Sequence, residues 1–148
     1  MASDWLAEAI ATRRIERVKA NMGAADERVN DARRHVASAR KLAESDTTLA
    51  MSACHDAIRK AVVGHMSANG LRVRTGEDAR RLTLGYARRE LAGVISESDL
   101  VDANEIRQDR ALAEYGDFAS RKLNATHVRA AADVAERIVN AVARALAS

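Results

Sequence analysis

No proline occurs anywhere in the 148 residues, and the seven glycines are widely scattered. Proline stops a helix by removing an amide donor and clashing with the preceding turn, so this chain has no hard stops. Only glycines, capping side chains and breaks in apolar periodicity remain to divide it. Between those marks it is rich in Ala, Leu, Arg and Glu, all strong helix formers. Aromatic residues are 3% of the chain, so aliphatic and alanine contacts must carry the packing. The expected fold is all-α, an antiparallel up-and-down bundle of five to six helices in one domain spanning 1–148. Residues 1–23 form an N-terminal extra helix and 25–146 the core bundle.

The periodicity locates the helices. Ser3 or Asp4 caps a first one over about Asp4–Asn21, ended by Gly23. In the second, about Ala25–Glu44, Val29, Ala32, Val36, Ala39 and Ala43 recur at three- and four-residue steps, which is one helix face. Asp46 or Thr47 caps the third. Its apolar residues (Leu49, Ala53, Ala57, Ile58, Val62, Met66) run nearly all round, marking it as central. Asn69-Gly70 supplies its left-handed stop. A short basic connection, Leu71–Thr75, leads to a fourth helix over about Glu77–Ala92, with Leu82, Tyr86 and Leu91 inward. Ser96 or Ser98 caps the fifth, about Ser98–Tyr115, with Val101, Asn104, Gln108, Ala111, Leu112 and Tyr115 as its inward stripe. Asn124 or Thr126 caps the last, whose face is Val128, Ala131, Ala135, Ile138, Val142 and Leu146.

Charge narrows the function classes. The formal net charge is +3, and 20 of the 24 basic residues are arginine, which suits bidentate contacts to phosphate or carboxylate. Twenty-one interspersed acids exclude a nucleic-acid-coating tail. Arg80, Arg81, Arg88 and Arg89 repeat at eight residues and form a basic stripe or a solvated face. Cys54 is the only cysteine, which excludes an intramolecular disulfide and a cysteine-based zinc site, and a small buried hydrophobe is its expected role. His55 and His65 lie ten apart on one helix, too far to share a metal. No metal or organic cofactor is indicated. The N-terminus lacks a signal-peptide core and no stretch is a membrane span, so the cytoplasm is the expected location.

The unusual stretch is EIRQDRALAEYGDF, Glu105–Phe118. Its stripe is interrupted by amides, and Arg107, Arg110 and Glu114 form a neighbouring face. Buried polar groups need partners, so this helix is expected to line a cleft or an interface. Asp56 and Arg59 are charged residues in the central helix. Either they pair locally or one reaches a site between helices.

The order of features resembles the HEPN superfamily, small helical bundles, over about residues 25–146. RVNDARRHVASARKLAESD followed by AMSACHDAIRKAVVGHMSANGLRVR is similar to the first helical pair of small bacterial members. RQDRALAEYGDF and NATHVRAAADVAERIVNAVARAL are similar to their closing pair. Many members are metal-independent endoribonucleases marked by an Arg, four to six intervening residues, and then a His. Two copies meet in a homodimer and activate a ribose 2′-hydroxyl. Such chemistry needs a cation for the phosphorane and a group that moves a proton near neutral pH.

Three Arg–His pairs match this spacing literally: Arg28/His35, Arg59/His65 and Arg121/His127. The first two sit within continuous helices and are set aside. By context the motif aligns with Arg110 to Tyr115, so the Arg is kept, Ala111 follows it, and a tyrosine stands in the His position. Tyrosine is a weak base at neutral pH but a good stacking surface. The rival placement is Arg121 with His127, converging across the break at Asn124.

The resemblance therefore implies an RNA-directed protein, with a metal-independent endoribonuclease of toxin or phage-defence type as one form. Arg110, Tyr115 and His127 are the catalytic candidates, with Arg107, Arg110 and Arg121 binding RNA or nucleotide, and Asp56 and Glu114 orienting the arginines. The alternatives are a non-catalytic module for nucleotide, nucleic acid or a partner protein, and a structural dimerising bundle. A homodimer is implied, with a cognate antitoxin or a nucleotidyltransferase-like protein as further partners, and no membrane.

Overall fold

The computed structural model describes residues 3–74, 76, 78–115 and 123–148; for 112–115 the description is of the backbone. Among these residues the fold is all-α, six helices with a minor two-stranded ribbon: α1 (Asp4–Ala11), β1 (Ile15–Arg17), α2 (Met22–Leu42), α3 (Thr47–Ala68), β2 (Leu71–Val73), α4 (Ala79–Glu90), α5 (Glu97–Tyr115) and α6 (Ala125–Ala147).

The first expected helix is shorter than its periodicity suggested, and local geometry explains why. Arg13 adopts a left-handed φ of 62°. Its amide donates to the Ile10 carbonyl at 3.0 Å, and the Arg14 amide to that of Ala9 at 2.9 Å. That pair of bonds is a Schellman stop, with arginine where glycine is usual. The β-branched Ile15 and Val18 then run extended. Residues 15–17 pair antiparallel with β2 in the register Ile15 to Val73, Glu16 to Arg72, Arg17 to Leu71, so the expected basic connection is a strand. Asn21 caps α2 by accepting from the Ala24 amide at 2.9 Å, and Gly23 lies inside the helix rather than ending one.

α3 is the central element, packed against α2, α4, α5 and α6. Asp46 caps it through the Leu49 amide (3.0 Å). Ala53, Cys54, Ala57, Ile58, Ala61, Val62 and Met66 are all buried, whereas Leu49 in the first turn is exposed. Burial of Cys54 pushes its thiol up to about 12, so it behaves as a small apolar residue at neutral pH. The expected apolar faces of α2, α4 and α6 are the buried ones, with Leu146 partly exposed at the end. Gly64 lets α2 approach closely: a Cβ there would lie 3.1 Å from the Ala25 carbonyl oxygen and 3.2 Å from the Arg28 Cβ.

α5 is rotated relative to the expected stripe. Asp99, Ala103, Ile106 and Asp109 are buried, while Val101 is 56% exposed and Gln108 faces solvent. Two carboxylates thus point inward, which hydrophobicity could not anticipate. Asp99 is accommodated because Arg137 of α6 reaches it with Nε and one terminal amine, at 3.0–3.2 Å. A charge-assisted fork of this kind offsets much of the desolvation cost of a buried carboxylate.

Candidate functional site

The rotation of α5 sends its two sides to different neighbours. Asp102, Glu105, Ile106 and Asp109 face α6, where they share a small pocket of about 170 Å³ with His127. Arg110, one turn beyond Ile106, is half-buried, and α5 also packs against α3.

Arg110 lies within electrostatic reach of His55. That imidazole is 1% exposed, and neither ring nitrogen has a hydrogen-bond partner. Burial is the main cause that pushes its pKa down to about 4. The positive fields of Arg110, Arg80 and Arg59 act in the same direction, opposed by Asp56. The imidazole is therefore neutral at pH 7. Three helices, α3, α4 and α5, each contribute one of those arginines. Arg80 is exposed and makes no ion pair among the described residues. Arg59 has a long contact to Asp56, Nε to Oδ1 at 3.7 Å.

Asp56 and Arg59 thus make a long local contact, and both lie within electrostatic reach of His55. On the α2 side of the same turn, His35 is lowered by burial and by Lys60, Arg59 and Arg34, with Asp56 opposing. Arg107 is directed along its own helix: its guanidinium donates to the Asn104 side-chain oxygen at 3.2 and 3.3 Å.

His127 occupies the first turn of α6. Its amide donates to the Asn124 cap at 2.9 Å, and its ring Nδ1 is buried without a hydrogen-bond partner among the described residues. The carboxylates of Asp102, Glu105 and Asp109 line the same pocket, and Arg110 is not among the described walls. Arg121, and the side chains of Glu114 and Tyr115, lie outside the described residues.

Sequence reasoning missed His55, Arg59 and Arg80 as a group. The available signal was a histidine on the all-apolar central helix, but nothing in the spacing linked it to arginines 25 and 55 positions away. Tyr86 and His65 make a further histidine contact, ring nitrogen to hydroxyl 2.9 Å, and burial raises the tyrosine while lowering the histidine. Among the described residues no group of three His, Cys, Asp or Glu side chains could hold a metal ion. No helix among them is long and apolar enough to cross a membrane.

The architecture is that of an all-α bundle in which arginines of the central helix and of the two helices that follow act on one buried histidine. A family model described as "HEPN domain" matches residues 25–145. The chain belongs to the HEPN family. No curated protein and no solved structure matches it.

Proposed function

We propose that this HEPN domain is an RNA-directed binding protein that holds phosphates at the corner between α3, α4 and α5. Arg110, Arg80 and Arg59 are the primary contacts and Arg107 a flanking one. The observation that supports this reading is that Arg110, Arg80 and Arg59, one from each helix, all act electrostatically on the same buried neutral histidine. Arginines from three separate helices contribute positive potential that attracts an anion. Arginine's planar fork is also the side chain best matched to phosphate oxygens.

Binding is favoured over cleavage by what surrounds the histidines. His55 is enclosed, and His127 sits among carboxylates, so neither is offered to a phosphate held by Arg110. A second reading, a metal-independent endoribonuclease, draws on the unpartnered Nδ1 of His127 beside Asp109, an arrangement suited to proton transfer once RNA reshapes the pocket. A second copy of the chain is the expected protein partner, through the outer face of α5 where Val101 is exposed.

The test is fluorescence anisotropy with a labelled single-stranded RNA in EDTA, alongside gels that follow its integrity. Binding without cleavage, weakened in Arg110→Ala and retained in His127→Ala, is the expected result. Cleavage abolished by His127→Ala establishes the endoribonuclease instead. Unchanged binding by Arg110→Ala removes the α3–α5 corner from consideration.

A further inference from the structure

The segment before the family match bears on a helix that depends on its neighbours. α4 has 12 residues, its N-cap Asp78 makes no side-chain capping bond, and Gly85 lies in its middle. Isolated helices of this length are marginal in water, and an interior glycine weakens one further. Packing must therefore hold α4 in shape. Tyr86, 2% exposed, joins it to α3, its hydroxyl 2.9 Å from the His65 Nδ1. The second support is α1, which packs closely with β1 and α4 alone among the described elements.

Trp5 lies against the α4 backbone at Gly85. A Cβ added there would come within 2.9 Å of the indole Cζ2, with two more ring atoms at 3.5 and 3.7 Å. Only glycine leaves the ring that space. Ser3 makes the other contact. Its hydroxyl accepts from the Leu6 amide, capping α1, and donates to Glu90 Oε1 at the end of α4. A carboxylate in a helix's last turn opposes the macrodipole, so that donor also steadies Glu90. Leu6 and Ala9 of the same helix are buried. The chain then turns back at Arg13, and β1 runs beside β2, the strand that leads toward α4, with Ile15 fully buried. The Arg14 carbonyl accepts from the Arg74 amide at 3.2 Å, extending the ribbon by one bond. α4 is thus gripped directly and through the strand before it, both times by residues that precede the match at residue 25.

We infer that residues 3–17 form a clasp that positions α4, with Trp5 its central positioning residue, and that the clasp sets RNA affinity through Arg80. The link to affinity rests on the phosphate-binding corner proposed above. Arg80 is in the first turn of α4, so fraying of that helix withdraws it while Arg59 and Arg110 stay on α3 and α5. Loosening α1 then weakens RNA binding without altering any residue of the corner.

The test is hydrogen–deuterium exchange of the full chain, with RNA anisotropy alongside, on wild type, Trp5→Ala, Gly85→Ala, their double variant and Arg80→Ala. Trp5→Ala should speed exchange across Leu82–Glu90 by about tenfold or more while α2 and α6 keep their protection. Gly85→Ala alone should also lower α4 protection, because its methyl displaces the indole. Added to Trp5→Ala, the same substitution should raise protection, since alanine then meets no ring and favours the helix. RNA affinity should follow, weakened in Trp5→Ala and partly restored in the double variant. Unchanged α4 exchange in Trp5→Ala overturns the clasp, as does exchange that quickens equally in α2 and α6. So does Gly85→Ala acting in one direction in both backgrounds. Faster α4 exchange with unchanged RNA affinity in Trp5→Ala, beside weakened binding in Arg80→Ala, overturns the link to the corner. Unchanged affinity in Arg80→Ala refutes the corner itself and that link with it, while the exchange results still decide the clasp.

Discussion

Replacing His55 with leucine should flatten the acid sensitivity of the fold. The imidazole is buried and unpartnered, with its pKa pushed down to about 4 from an ordinary 6.5. In the unfolded chain it takes up a proton as pH falls through about 6.5, whereas the folded state resists until about 4. The unfolded state therefore binds more protons in that window, and stability drops as pH decreases. Above pH 6.5 both states are neutral and the contribution vanishes. Between pH 7 and pH 5 the linkage removes about 2 kcal/mol. For a chain of this length that is roughly a 6 °C fall in Tm. His35 and His65 are lowered in the same direction and steepen the profile of wild type and variant alike. The informative quantity is thus the difference between the two proteins. Urea unfolding followed by circular dichroism at pH 7, 6 and 5 should show His55→Leu nearly as stable as wild type, or more so, at pH 7. Exchanging an unsatisfied buried polar group for an apolar one of similar size carries little cost. At pH 5 the variant should lead by about 2 kcal/mol more. Parallel pH profiles in the two proteins refute the reasoning, because they mean the ring is hydrated or paired in the folded state.

Three further outcomes are expected. Gly70→Ala forces a left-handed alanine against the Val18 carbonyl oxygen, so thermal unfolding should show a loss of about 2–3 kcal/mol, while Gly93→Ala, with nothing within 4 Å of its Cβ, should stay within about 0.5–1 kcal/mol of wild type. Arg13→Gly relieves the left-handed arginine that ends α1 and should leave stability unchanged or raise it by up to about 1 kcal/mol; a clear loss in denaturant unfolding contradicts the strain argument. Val101→Asp puts a charge on the exposed apolar spot of α5 and should convert a dimer to monomer in light scattering after size exclusion, whereas a dimer unaffected by it uses another face.

The bundle was legible because helices with one apolar face announce themselves by spacing. Val29, Ala32, Val36 and Ala39 on α2, and Val128, Ala135, Ile138 and Val142 on α6, are buried as that spacing predicts. The ribbon was not legible. Ile15–Arg17 and Leu71–Val73 are each three residues long, and the stop before the first depends on an arginine taking a glycine's conformation. On α5 the hydrophobic rule gave the wrong side. Asp99 and Asp109 turn inward, and the Arg137 that makes this tolerable for Asp99 lies 38 residues further on. The site suffered similarly: Arg110 was visible as the motif arginine, but its relation to His55, Arg59 and Arg80 exists only after three helices pack. The assigned roles of Tyr115, Glu114 and Arg121 fall outside the described side chains.

The most direct test of the phosphate-binding corner is the salt dependence of RNA affinity, with wild type and Arg80→Ala/Arg110→Ala titrated by a labelled single-stranded RNA between 50 and 200 mM salt, about the range over which counterion release is resolved. Each lost phosphate contact on a single strand lowers the slope of log K against log salt by about 0.7. The account predicts weaker binding at every salt concentration and a slope reduced by about 1.4. An unchanged slope and affinity would contradict it, because the two arginines would then lie off the RNA path.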